Sequence, residues 1–107
     1  MIKANVVATQ SKTRKYYITH VWGGYNSDSN GKISIQLQTP LSGYQYDEYA
    51  VFSCLTAYST GGIANLIARR IIIQNNVLNV YYCTGDGKIP AVATIYCGFL
   101  VLAYKEV

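Results

Sequence analysis

His20 is the single histidine of the chain, and Cys54, Cys83 and Cys97 are its cysteines. A hydrolytic centre made from them needs a nucleophile, a base and an orienting acid brought together by folding. No GxSxG or comparable local signature accompanies them. Asp47 and Glu48 are adjacent, so in a strand they point to opposite faces, which argues against a general acid and base pair. The chain therefore reads as non-enzymatic. Three cysteines without CxxC spacing write neither a disulfide framework nor a zinc site, and buried free thiols are expected. One histidine per chain near a threefold axis would present three imidazoles to a metal or anion, but a packed or edge histidine is the simpler reading.

Two loops resemble ligand motifs and fail on particular positions. Thr84-Gly85-Asp86-Gly87-Lys88 ends like a phosphate loop, yet Ile89 stands where Ser or Thr would hold magnesium, and the upstream glycine is missing. Asn26-Ser27-Asp28-Ser29-Asn30-Gly31 follows the first half of a calcium loop, with Asn in the first position and Leu37 where a bidentate Glu belongs. Both read as turns. No metal and no cofactor is expected.

What stands out is aromatic. Tyr16, Tyr17, Trp22, Tyr25, Tyr44, Tyr46, Tyr49 and Tyr58 crowd the first half, and those in Gly43 to Glu48 (GYQYDE) are hardest to place in a core. Tyr and Trp give large contact area at low entropic cost, which suits protein interfaces and stacking on sugar rings. The whole chain has 107 residues, 50% hydrophobic and only 13% charged, with 11 tyrosines. Its length fits one domain, with residues 1–14 as an N-terminal strand or arm. So few charges leave apolar surface to be covered by another subunit, and a homo-oligomer is expected. The net charge is +4, but apart from Arg69-Arg70 and the group Lys12, Arg14 and Lys15 the basic residues are scattered, with no long run, so no nucleic-acid partner is expected. The uncharged stretch from Ile89 to Tyr104 is 16 residues and contains Pro90 and Gly98, too short and broken for membrane insertion. Met1 to Asn5 lacks signal-peptide regions, so synthesis in the cytosol follows.

The elements that must position these residues are strands. Ile33, Ile35 and Leu37 alternate with polar residues over Lys32 to Gln38, and Lys15 to Tyr25 is aromatic and β-branched; with the polar turn between them they read as a hairpin. Glu48 to Tyr58 is a strand ending at Ser59-Thr60-Gly61-Gly62. Asn75-Asn76 forms a two-residue hairpin turn, since Asn tolerates positive φ. That turn sets Ile73 opposite Leu78, Ile71 opposite Val80 and Arg69 opposite Tyr82 on the core face, with Arg69 snorkelling past Tyr82; Ile72 meets Asn79 and Arg70 meets Tyr81 on the other. Ala91 to Tyr104 is a long central strand with a bulge or bend near Gly98. Both its faces are apolar, and Val92, Tyr96, Leu100, Leu102 and Tyr104 are assigned to subunit contact. With no helical period, the chain reads as all-β, a six- to seven-stranded antiparallel β-sandwich.

Val21-Trp22-Gly23-Gly24, Thr39-Pro40-Leu41, the aromatic loop, Tyr49-Ala50-Val51, a Val-Tyr-Tyr hairpin and the closing Gly98-Phe99-Leu100-Val101-Leu102-Ala103-Tyr104 run in an order that resembles the C-terminal domains of bacteriophage tail-fibre and receptor-binding proteins, which are similar to H-type lectins. The similarity spans about residues 15 to 105. It implies a homotrimeric tip in the virion tail that adheres to a host-surface glycan or protein. The alternative is a head or tail decoration or connector contacting only other virion proteins. For carbohydrate, the candidate contacts are Trp22, Tyr25, Asn26, Tyr44, Tyr46 and Asp47, combining aromatic faces with planar hydrogen-bonding groups.

Overall fold

The computed structural model describes residues 13–60 and 64–107. The expected N-terminal arm lies outside the described residues up to residue 12, as do Gly61 and Gly62. Six strands are described: β1 (Arg14–Asn26), β2 (Lys32–Gln36), β3 (Gln45–Ser59), β4 (Ala64–Gln74), β5 (Val77–Cys83) and β6 (Thr94–Glu106). They form one antiparallel sheet in the order β1-β6-β3-β4-β5-β2.

The sheet folds over at its middle because the β3–β4 hairpin splays. These strands pair only near their turn, Ala57 with Leu66 and Tyr58 with Ala64. Beyond that, β3 follows β6 while β4 follows β5. The result is a strongly curled open sheet, a half-barrel. Its two facing layers, β1-β6-β3 and β4-β5-β2, are halves of one sheet rather than the separate sheets of a sandwich. Alternation fills the space between them. Ile33, Ile35 and Leu37 from the β2 segment and Leu78, Val80 and Tyr82 from β5 meet Ile95, Cys97, Phe99 and Val101 from β6, all buried. Each fully buried large apolar side chain of this set contributes about 1.5–3 kcal/mol.

The expected hairpin of β1 with β2 does not form. β1 pairs with β6 and β2 with β5, so the two are opposite edges of the sheet. The loop between them crosses from one layer to the other. The Ser27 amide donates to the Ala93 carbonyl at 2.9 Å, tying the end of β1 to the entrance of β6. Asp28 Oδ1 then accepts the amides of Asn30 (2.8 Å) and Lys32 (3.0 Å), an Asx-type reversal. Gly31 completes it at φ +72°, and the Tyr82 amide donates to its carbonyl at 2.9 Å, docking the chain on β5. A Cβ at Gly31 would lie 2.7 Å from the Tyr82 carbonyl oxygen, so this approach requires glycine.

The Asn75-Asn76 turn forms as expected, with φ of 52° and 61°. Ile73–Leu78, Ile72–Asn79, Ile71–Val80 and Arg70–Tyr81 pair in the anticipated register. Arg69 does not sit opposite Tyr82. The register shifts there, Tyr82 pairs with Ala68, and Arg69 becomes the extra residue of a bulge.

The last strand is central, between β1 and β3, but it begins at Thr94 and not at Ala91. Ala91 to Ala93 form a loop in which the Ala93 amide donates to Ser27 Oγ at 3.1 Å. The bulge anticipated near Gly98 lies on the neighbouring strand. β6 pairs with β1 without interruption, whereas Ser53 faces Phe99 and Leu55 faces Gly98, leaving Cys54 as the extra residue of β3. Gly98 makes room for it, because a Cβ there would lie 2.8 Å from Leu55 Cδ1 and 3.1 Å from Cys54 Sγ.

Candidate functional site

Strand parity gives the two layers chemically different outer faces. On β1-β6-β3 the register aligns Tyr16 with Tyr104, Ile18 with Leu102, His20 with Leu100 and Trp22 with Gly98, all pointing away from the core. β3 adds Phe52 opposite Leu100, Leu55 opposite Gly98 and Tyr58 opposite Tyr96. These side chains are largely uncovered: Trp22 is 63% exposed, Ile18 61% and Phe52 54%. Trp22, Leu55, Tyr58 and Tyr96 also border a shallow apolar cleft of about 340 Å³, with the Tyr58 and Tyr96 rings stacked at 5.2 Å.

Of the residues assigned to subunit contact, Tyr96, Leu100, Leu102 and Tyr104 lie on this face. Val92 does not belong with them; it is exposed in the loop before β6, where no strand parity applies. The face also holds Cys54, whose Sγ lies 3.4 Å from His20 Nε2, with the His20 and Trp22 rings 4.6 Å apart. Cys54 is exposed, contrary to the expectation of three buried thiols, because the bulge turns it outward; Cys83 is half-buried and Cys97 buried. Among the described residues, no group of three His, Cys, Asp or Glu comes together.

The six residues proposed as ligand contacts separate into two groups. Tyr46 pairs with Ala103 near one end of β6, and Asn26 pairs with Thr94 at the other. Nine residues of strand at about 3.3 Å each place these ends roughly 30 Å apart. At the Asn26 end, Trp22 belongs to the apolar outer face. Tyr25 turns inward, packs on the core and donates its hydroxyl to the Trp22 carbonyl at 3.3 Å. Burial pushes its phenol above the ordinary range. Asn26 Oδ1 accepts the Thr94 hydroxyl at 2.9 Å.

At the other end, the parting of β3 from β4 opens a cleft of about 310 Å³ bordered by Gln45, Tyr46, Asp47, Glu48, Tyr49 and Tyr104. Gln45 Nε2 donates to the Tyr104 hydroxyl. Asp47 Oδ1 accepts the Tyr49 amide at 2.9 Å and shapes the strand start. Tyr46 is partly buried, its hydroxyl donating to the Gln38 carbonyl at 2.6 Å, and burial raises its pKa. Tyr44 stands apart from this cleft, edge-on to Tyr17 at 4.8 Å with Lys105 Nζ 5.1 Å over its ring. Tyr49, not among the expected contacts, is 90% exposed at the cleft rim. The register of β3 breaks between Tyr46 and Val51, so strand alternation does not hold there, and Asp47 and Glu48, expected on opposite faces, border the same cleft.

Thr84 to Lys88 closes as a turn, the Gly87 amide donating to the Thr84 carbonyl at 2.9 Å and the Thr84 hydroxyl donating to Asp86. No family model, no curated protein and no solved structure matches the chain.

Proposed function

We propose that the chain is a non-enzymatic adhesion module of the bacteriophage-virion type, a tail-fibre tip that works as a homo-oligomer and holds host-surface carbohydrate. The threefold symmetry and the virion setting rest on the resemblance of residues 15 to 105 to tail-fibre tips. The observation that carries the reading is the apolar outer face of β1, β6 and β3. Its five half-exposed aromatic residues, Tyr16, Trp22, Phe52, Tyr58 and Tyr96, with Ile18 and Leu55, leave roughly 700 Å² uncovered, taking about 200 Å² per aromatic side chain. A monomer's largest apolar patch is about 300–600 Å², and a standard interface takes roughly 800 Å² from each partner. The half-buried Leu100, Leu102 and Tyr104 close the difference.

Carbohydrate is assigned to the cleft at the start of β3. There an amide, two carboxylates and the exposed Tyr49 ring stand together, the mix of planar hydrogen-bonding groups and aromatic surface that sugars use. The apolar cleft beside Trp22 offers few polar partners and belongs to assembly. The second reading is a connector contacting only virion proteins, for which the same apolar face would supply the contact surface.

The test is a host-glycan array probed with the purified oligomer. Binding that disappears in Tyr49→Ala and in Asp47→Asn, while the molar mass is unchanged, supports adhesion. An oligomer that binds no glycan overturns adhesion and leaves the connector.

A further inference from the structure

The outer face of the other layer, β4-β5-β2, has a different chemistry. Tyr81 lies on the middle strand, with Lys32 of β2 paired to it on one side and Arg70 of β4 on the other. In an unbroken strand Arg69 would point to the core. The bulge at Arg69 instead leaves both arginines exposed and brings both to the same ring. Arg69 Cζ lies 5.3 Å, Arg70 Cζ 5.7 Å and Lys32 Nζ 6.0 Å from the Tyr81 ring centroid.

Three cations gathered on one ring repel one another, and the ring quadrupole offsets only part of that cost. Among the described residues no carboxylate lies within ion-pair distance of them, and only Asp28 feels the charge of one, Lys32. All five acidic side chains of the chain lie in the described residues. Glu106 pairs with Arg14 at 3.6 Å and Asp86 with Lys88 at 3.8 Å. Asp47 is engaged by the Tyr49 amide, and Glu48 borders the β3 cleft. Asp28, which senses the charge of Lys32, is taken up by the amides of Asn30 and Lys32. Further along the same face the register places Ser34 beside Asn79, with Ser34 Oγ donating to Asn79 Oδ1 at 2.7 Å, and Gln36 beside Val77 with Gln74 beyond.

We infer that this face binds an anionic carbohydrate, with Arg69, Arg70 and Lys32 receiving a sulfate, phosphate or carboxylate group and Ser34, Asn79, Gln36 and Gln74 meeting the adjoining sugar hydroxyls. The inference deepens the carbohydrate reading above and adds a site on the opposite layer from the proposed assembly face. Charge complementarity selects the anion. The polar row selects sugar over nucleic acid: Ser34, Asn79, Gln36 and Gln74 offer hydroxyl and amide partners, and the Tyr81 ring is already occupied by cations.

The experiment compares dextran sulfate with neutral dextran of the same length and with a single-stranded oligonucleotide. Dextran sulfate is expected to bind, weakening steeply between about 50 and 200 mM salt, and neutral dextran is not. Arg69→Ser with Arg70→Ser is expected to weaken dextran sulfate binding about tenfold or more without changing Tm. Lys15→Ser with Lys88→Ser, which removes the same charge elsewhere, is expected to leave it within about twofold. Should the arginine pair prove necessary for folding, Lys32→Ser decides in the same assay. Absence of binding, or equal loss in both double variants, overturns the site. Tighter binding of the oligonucleotide through Arg69 and Arg70 overturns the carbohydrate assignment. Failure here with retained glycan-array binding through Asp47 and Tyr49 removes this site alone.

Discussion

Replacing Tyr82 by Phe isolates a polar group that the core does not satisfy. Tyr82 is 2% exposed, and among the described residues its hydroxyl has no oxygen or nitrogen partner, only the Cys97 thiol beside it, a weak one. Removing an unsatisfied buried hydroxyl while keeping the ring returns a desolvation cost of about 1–3 kcal/mol. For a domain of this length each kcal/mol corresponds to about 4–8 °C in Tm. Tyr82→Phe is therefore expected to melt at least about 4 °C higher at neutral pH. The same burial gives a pH signature. Desolvation, reinforced by Cys97, holds the Tyr82 phenol far above its ordinary pKa of about 10. A folded pKa raised in this way means that the stabilisation is fully present below about pH 10 and is lost as the unfolded chain ionises above it. The Cys97 thiol, also pushed up by burial, brings a first decline from about pH 8.5 in both proteins. Thermal unfolding followed by circular dichroism from about pH 6 to pH 11 should show the variant more stable throughout and less steep above pH 10. A less stable variant, or identical alkaline limbs, would refute the reasoning and point to a hydroxyl with a partner.

The loop crossing between layers gives two further expectations. Gly31→Ala combines positive φ with contact against the Tyr82 carbonyl, so chemical denaturation should show a loss of more than about 1 kcal/mol. Asp28 is held below the ordinary carboxylate range chiefly by the Lys32 and Asn30 amides, so its stabilisation is present above about pH 4 and lost as pH falls through the depressed value. Melting curves of Asp28→Asn should accordingly lack part of the acid limb of the parent, and those of Asp28→Ala should drop at neutral pH. At the hairpin tip, Asn76→Gly should raise stability by a few tenths of a kcal/mol and Asn76→Val lower it by about 1–2 kcal/mol, as urea midpoints would record.

Alternation and turn chemistry made much of the fold legible. Ile33, Ile35 and Leu37, and the series from Ile95 to Val101, fall on the core side because a half-buried strand permits one parity only. Asn75-Asn76 fixed the β4–β5 register because its φ values suit few other residues. The β1–β2 connection was illegible for the opposite reason. A polar segment ending in Gly31 reads alike whether its flanking strands pair or cross to facing layers, and the contacts that decide it are with Ala93 and Tyr82, far along the chain. Bulges were misplaced because one extra residue leaves composition unchanged. Gly98 was seen as the disturbed position, but the glycine accommodates Cys54 of β3 while its own strand stays regular. The same blindness set Arg69 toward the core. For the ligand residues, composition picked out Tyr44, Tyr46 and Asp47 together with Trp22, Tyr25 and Asn26, and only the run of β6 between them separates the two groups.

The central claim, that the apolar face of β1, β6 and β3 is covered by further copies of the chain, is tested most directly by molar mass in solution. Light scattering on the purified protein at micromolar concentration should give a multiple of the chain mass, three by the resemblance to tail-fibre tips. Ile18→Glu with Phe52→Glu should convert it to a folded monomer, both positions being exposed in the single chain. A monomeric parent protein, or an oligomer indifferent to those two charges, would contradict the account.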